Sequence, residues 1–173
     1  SQLELARARF DGEALWLKVG LLPEAQVEPL AAWLSQSRLS GVVVDPVLSA
    51  SDGGELGATA TSLHALDGQV SVWTPNPSEA SALAAPRSGP DHWLLKGALD
   101  EGNRVGDRLI GPGIDAVFER PRVAGPDPRG TGCALASAIT AKLALGSDPL
   151  DACRDAIAWL DRARRSVAPG PDG

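Results

Sequence analysis

Gly41-Val42-Val43-Val44-Asp45 constrains the fold of this chain more than any other stretch. Three β-branched apolar residues follow one another with no polar residue between them. A strand with one wet face would alternate. This one does not, so both of its faces need cover. Parallel sheets enclosed by helices supply that cover, because a helix usually makes the crossover between parallel strands. The run ends in a carboxylate and Pro46.

The flanking sequence alternates strand and helix as such a sheet requires. Ser1 to about Phe10 reads as a helix, and Ala14 to Val19 as a short strand closed by Gly20. Pro23 suits the first turn of a helix whose buried face is Val27, Leu30 and Leu34. Ser49 to Gly57 is a polar, glycine-bearing loop. Thr59 to Leu66 predicts a short helix, Gln69 to Trp73 a strand, and Asn76 to about Leu83 another short helix. His92 to Lys96 is the next strand. Arg104 to Val123 alternates around Gly111-Pro112-Gly113, which predicts two antiparallel strands joined by a turn. Two helices close the chain. The first ends near Gly146; the second is capped by Asp148, starts at Pro149, and turns Leu150, Cys153, Ile157 and Leu160 inward. The expected class is α/β with a largely parallel sheet, one domain over residues 1–166, and a frayed tail over 167–173. In such sheets ligands gather beyond the carboxyl ends of the strands. Asp45, Thr74 to Glu79 and Lys96 all fall there.

Composition narrows the function classes. The chain has 173 residues, a formal net charge of −6 and no basic block, which argues against a nucleic-acid partner. No apolar run is long enough to span a bilayer and no signal peptide is recognised, so no membrane partner and a cytoplasmic location are expected. Two cysteines make no disulfide framework, although Cys133 and Cys153 fall on different predicted helices and a bridge between them stays open. The Cys and His spacings of a metal site are absent.

Asp127 to Ile139 joins a polar loop to an apolar helix, with Leu135, Ile139 and Leu143 at helical spacing. Thr131 sits where a cap would sit. Gly130 and Gly132 let the backbone turn tightly and present its N–H groups. Those groups, with the positive end of the helix dipole, form an anion site. The same helix start would lower the pKa of Cys133 and favour its thiolate. Ordinary capping, with Cys133 as a small buried hydrophobe, accounts for the same residues.

Asn76-x-x-Glu79 also reads two ways. Asn76 as N-cap, Pro77 at the first helical position and Glu79 two residues on make a capping box. Alternatively, Glu79 holds Mg²⁺ near nucleotide phosphates, directly or through water. Asp45 is either solvated or ion-paired, and Lys96 could be a plain surface cation.

The order of these segments carries a resemblance. Val42-Val43-Val44-Asp45-Pro46-Val47-Leu48, Thr74-Pro75-Asn76-Pro77-Ser78-Glu79-Ala80, Leu94-Leu95-Lys96-Gly97 and Gly130-Thr131-Gly132-Cys133 resemble the ribokinase-like superfamily. The similarity is to its hydroxymethylpyrimidine/phosphomethylpyrimidine kinase branch of thiamine biosynthesis. Lys18, Gly20 and Leu22 match that branch's Lys-x-Gly-x-Leu strand, and the resemblance runs from Ser1 to about Arg162. Arg129 stands where the branch usually has His, and Ala98-Leu99 replace a usual Gly-His.

The resemblance implies a three-layer ribokinase-like sandwich that lacks the family's N-terminal part. It implies ATP and Mg²⁺ as cofactors and an aminopyrimidine alcohol, or its phosphate, as substrate. Gly130, Thr131 and Gly132 would hold the transferred phosphoryl group, and Cys133 would occupy the base position. Lys96 and Asn76 would approach the nucleotide, Glu79 and Asp45 the metal, and Lys18 and Gly20 the substrate. Without the N-terminal segments that hold the pyrimidine, turnover is expected to be weak. A nucleotide-binding or subunit-pairing relic is the alternative, and a fragment of a longer kinase is another. The sheet edge left by the absent part is expected to be covered by a partner chain, as in a homodimer, or by the Ser1 to Phe10 helix.

Overall fold

The computed structural model describes residues 15–48, 57–123 and 130–167. The expected Ser1–Phe10 helix, nearly all of the Ser49–Gly57 loop and the tail beyond residue 167 lie outside them. Strand β1 (Trp16–Val19) leads to helix α1 (Glu24–Gln36), then β2 (Gly41–Val44). Helix α2 (Ala60–Leu63) runs into a 3₁₀ turn at His64–Leu66, followed by β3 (Val72–Trp73) and α3 (Pro77–Ala82). Strands β4 (His92–Glu101), β5 (Arg104–Gly111) and β6 (Ile114–Pro121) precede α4 (Thr131–Ala144) and α5 (Pro149–Val167).

The six strands form one sheet in the order β1-β2-β3-β4-β5-β6. The first four are parallel, and β5 and β6 extend the sheet as an antiparallel hairpin. Each parallel strand lies beside its predecessor. Right-handed crossovers wound in one direction then place their helices on one face. Val27, Leu30 and Leu34 of α1, Leu63 of α2 and the 3₁₀ residue Leu66 accordingly join Val42, Val44, Trp73 and Trp93 in one core. The opposite face is covered by α4 and α5, whose Leu135, Ile139, Leu143, Cys153 and Ile157 pack on Val43, Val72, Leu94 and Leu109. The apolar run of β2 thus divides between two cores, as its lack of alternation requires. Trp73 and Trp93, opposite one another in register, stack with ring centroids 5.2 Å apart.

Several boundaries differ from expectation for local reasons. The Thr59–Leu66 helix breaks into α2, capped by the Thr59 side chain, and the 3₁₀ turn. Only Val72 and Trp73 of the Gln69–Trp73 stretch pair as a strand, because the Gln69 N–H is turned back to the Leu66 carbonyl at 3.1 Å. Strand β4 continues past Lys96 to Glu101, since its second half pairs with β5. Asp148 caps α5 as expected, accepting the Asp151 N–H at 2.9 Å. Among the described residues, no helix is long and apolar enough to cross a membrane.

Candidate active site

The start of α4 meets the carboxyl ends of the parallel strands. Its N-cap is Gly130, in the left-handed region at φ +83°, and no side chain caps it. Thr131 is the first helical residue rather than the cap. The opening N–H groups of a helix have no partner within it, and among the described residues no side chain takes their place. Gly132 keeps the approach open. A Cβ there would lie 3.2 Å from Lys96 Nζ and 3.7 Å from Asp45 Oδ2.

Asp45 and Lys96 form the charged floor of this crevice. Asp45 is 2% exposed, and Lys96 Nζ donates to its Oδ1 at 2.8 Å. The Thr74 hydroxyl, fully buried, stands 3.3 Å from the same oxygen. Lys96 is therefore the partner of a buried carboxylate, and the reading of a plain surface cation is corrected. Burying a carboxylate without a partner is strongly unfavourable, so Lys96 of β4 and Thr74 after β3 are both drawn to Asp45 after β2.

Cys133 is exposed and Cys153 buried, and both are free thiols. The expected thiolate at Cys133 is also corrected. Desolvation at the crevice wall and the neighbouring Asp45 charge push its pKa up, against smaller downward pulls from Lys18 and Lys96. Burial and the nearby carboxylate both disfavour the thiolate.

Asn76 and Glu79 form the complete capping box of α3. Asn76 Oδ1 accepts the Glu79 N–H at 2.9 Å, and Glu79 Oε2 accepts the Asn76 N–H at 2.8 Å. Glu79 is nevertheless more than a cap. It is 6% exposed, and burial raises its pKa despite that hydrogen bond and the Lys96 charge. It also feels the charge of Asp45. On the β1 side, the Lys18 ammonium overhangs Gly20 so closely that a Cβ on Gly20 would collide with Nζ. The structure thus gathers Lys18, Gly20, Asp45, Asn76, Glu79, Lys96 and residues 130–133 around one crevice.

A cavity of about 430 Å³ opens beside the α4 start, between the β5–β6 hairpin and α4–α5. Lys96, Gly97, Asp107, Arg120, Thr131 and Gly132 contribute to its walls. The sequence reading missed Asp107 and Arg120, a partly enclosed ion pair at 2.8 Å whose carboxylate side chain is 3% exposed. A signal was present: Asp107 stands between Val105 and Leu109 on one face of an alternating strand, where an apolar residue belongs.

The layered α/β sheet, with a helix start beyond its strand ends, has the ribokinase-like fold. Staphylococcus aureus pyridoxal kinase in complex with AMP-PCP shares this fold, with a TM-score of 0.76 over 95% of this chain and 66% of that one, at 24% identity. A family model for phosphomethylpyrimidine kinase matches residues 2–89 and 85–171, and the chain belongs to that family. The Escherichia coli hydroxymethylpyrimidine/phosphomethylpyrimidine kinase is 31% identical over 167 residues, which cover 84% of this chain and 63% of that protein. The chloroplastic thiamine biosynthetic bifunctional enzyme of Arabidopsis thaliana is 34% identical over 184 residues, covering 94% of this chain and 35% of that enzyme. The chain therefore spans about a third to under two thirds of these relatives' lengths.

Proposed function

We propose that this chain provides the nucleotide site of an ATP-dependent kinase of thiamine biosynthesis. Its acceptor would be 4-amino-5-hydroxymethyl-2-methylpyrimidine or its monophosphate. One observation carries the reading: among the described residues no side chain caps the α4 start, and it faces the Lys96–Asp45 pair across Gly132, where a Cβ would already come within 3.2 Å of Lys96 Nζ. Backbone N–H groups of residues 131–133, fixed before any ligand arrives, would stabilise charge on the transferred phosphoryl group. The neighbouring cavity would take the rest of the nucleotide.

The residues also fit a divalent cation. Glu79 is a buried carboxylate held toward its protonated form by burial, so a cation would relieve it. Its Oε2 makes the cap bond to Asn76, and Asp45 lies within its electrostatic reach. Among the described residues no three metal-ligating side chains converge. The phosphates would have to complete the coordination, so the cation would arrive with the nucleotide. Held by Glu79 with Asp45 nearby, Mg²⁺ would neutralise charge developing on the transferred phosphoryl group.

Lys96 would leave or share Asp45 to meet a phosphate oxygen. Cys133 stays a thiol near neutral pH and so orients the acceptor hydroxyl rather than ionising it in advance. Phosphoryl transfer through a loose transition state needs little early deprotonation, and Asp45 is the nearest carboxylate for a late proton. Lys18, over Gly20, stands on the acceptor side.

Calorimetric titration of ATP with and without Mg²⁺ tests this reading, together with mass detection of phosphorylated pyrimidine. ATP should bind, Mg²⁺ should tighten it, and Gly132→Asp should abolish it by placing a carboxylate beside Asp45. No binding to the unmutated chain at millimolar ATP would reduce the α4 start to a helix cap.

A further inference from the structure

The β4–β5 ladder is broken at the place that matters most to this site. Leu95 pairs with Arg108, and the next pairing is Leu99 with Gly106. Lys96, Gly97 and Ala98 therefore stand opposite Asp107 alone. Such a bulge leaves backbone groups without ladder partners and re-aims the side chains at its centre. Gly97 takes φ +62°, a conformation that suits glycine.

Two bonds hold this bulge open. The Lys96 N–H reaches sideways to the Pro75 carbonyl at 2.9 Å, in the segment just ahead of the α3 cap. The Gly97 N–H is taken by Asp107 Oδ1 at 2.8 Å, where a backbone carbonyl would stand in a regular ladder. Asp107 Oδ2 is gripped by Arg120 Nη1 of β6 at 2.8 Å. The carboxylate is 2% exposed, and it forms part of the wall of the cavity beside the α4 start. Its neighbours on the helix side include the buried Cys153, whose thiol its charge helps push up to about 12. Lys96, between the two pinned peptides, is the residue that reaches Asp45 under the α4 start.

We propose that Asp107 is a positioning residue for nucleotide phosphate: it latches Gly97 and so fixes the bulge that aims Lys96 at the α4 start. The proposal rests on the reading of that start as the phosphate site. A lysine ammonium on a flexible stem is a poor locator by itself. A latched backbone on both sides of it removes much of the freedom that phosphate binding would otherwise have to restrict. Arg120 serves the latch by holding the second carboxylate oxygen, and that keeps Oδ1 turned to Gly97.

The test compares ATP with adenosine, which lacks the phosphates, by titration on Asp107→Ala, Asp107→Asn and Lys96→Ala. Hydrogen exchange at the Gly97 amide is followed in the same variants. Asp107→Ala should lower the ATP-to-adenosine affinity ratio about tenfold, the size of one charge-assisted phosphate contact. It should cost adenosine much less than ATP, and it should expose the Gly97 amide to exchange. In a Lys96→Ala background the same substitution should lower the ratio no further, because the two act through one contact. Asp107→Asn is nearly isosteric and keeps an acceptor for Gly97 should the alanine variant not fold. In any folded Asp107 variant, loss of Gly97 protection and loss of the ATP preference must occur together, whereas Lys96→Ala should lose the preference with Gly97 still protected. In an Asp107 variant, either one without the other overturns the proposal, as do equal losses for ATP and adenosine or full additivity with Lys96→Ala. If the unmutated chain binds no ATP, the phosphate-site reading falls by itself. Gly97 exchange and the Lys96 ammonium resonance in Asp107→Ala then judge the latch: unchanged signals overturn it.

Discussion

Glu79 and Cys133 show how single side chains are set by their surroundings rather than by their type. For Glu79, burial outweighs both the Asn76 N–H bond and the Lys96 charge, so its folded pKa lies above the ordinary value of 4.5. The folded state then holds the proton more tightly than the unfolded chain. The ionised form weakens folding at neutral pH, and that loss is relieved as pH falls through the raised pKa toward 4.5. Glu79→Gln keeps an acceptor for the cap. It should change stability at pH 7 by about 1 kcal/mol or less. Any gain over the unmutated protein should shrink as the pH is lowered toward 4.5, as read by urea unfolding across that range. The same variant should lose the Mg²⁺ dependence of ATP binding. Cys133 yields a second prediction. Its raised pKa leaves little thiolate at neutral pH. Iodoacetamide should label it severalfold more slowly than a free thiol at pH 7.5. Asp45→Asn removes the raising charge and leaves Lys96 nearby, so it should speed the reaction. Cys153, buried and pushed up to about 12, should stay unlabelled in the folded protein. The raised pKa of Cys133 was not legible in the sequence, where the residue reads as a thiolate at a helix start or as a small buried hydrophobe. Burial is the larger cause of the reversal, and the Asp45 charge that adds to it lies far away along the chain.

At the scale of elements, most of the fold was legible because local and long-range signals agree. The unbroken Val42–Val44 run announces two-sided burial, and the structure divides it between two cores. Asp148 with Pro149, and Asn76 with Pro77 and Glu79, mark helix starts by chemistry that acts over three residues. The second half of β4 was missed for the opposite reason. Ala98, Leu99, Asp100 and Glu101 have no strand signature of their own, and they are extended because β5 pairs with them. The same holds for the Lys96–Asp45 pair, whose members are 51 positions apart. The capping box makes a prediction at this scale. Asn76→Ala removes the 2.9 Å acceptor of the Glu79 N–H. It should lower stability by about 1 kcal/mol, within the range for lost N-caps. Since α3 has only six residues and one box, ATP affinity in the presence of Mg²⁺ should fall as well, through Glu79. Chemical denaturation and titration on one variant separate the two effects.

Across the whole molecule, α4 ties stability to the site. Its N-terminus faces the crevice, while Ile139, fully buried, anchors the second core against Val43, Val72 and Leu94. Ile139→Ala removes a buried side chain from that core and should lower stability by about 2–5 kcal/mol, with the upper end expected if the core cannot collapse. A loss of that size is a large part of the total for an ordinary domain. Yet the substitution lies more than one helical turn from Gly132 and touches no group proposed to meet phosphate. A ligand that binds only the folded state should therefore restore much of what is lost. At a free concentration one hundred times its dissociation constant, that restoration is about 2.7 kcal/mol. ATP with Mg²⁺ should raise the thermal midpoint of Ile139→Ala by several degrees, while adenosine raises it less. The double variant Ile139→Ala, Gly132→Asp should gain nothing from ATP, because its folded state has lost the phosphate site. Scanning calorimetry of the three proteins, with and without nucleotide, reads all of this. An equal rise in the double variant would mean that ATP stabilises the fold from somewhere other than the α4 start.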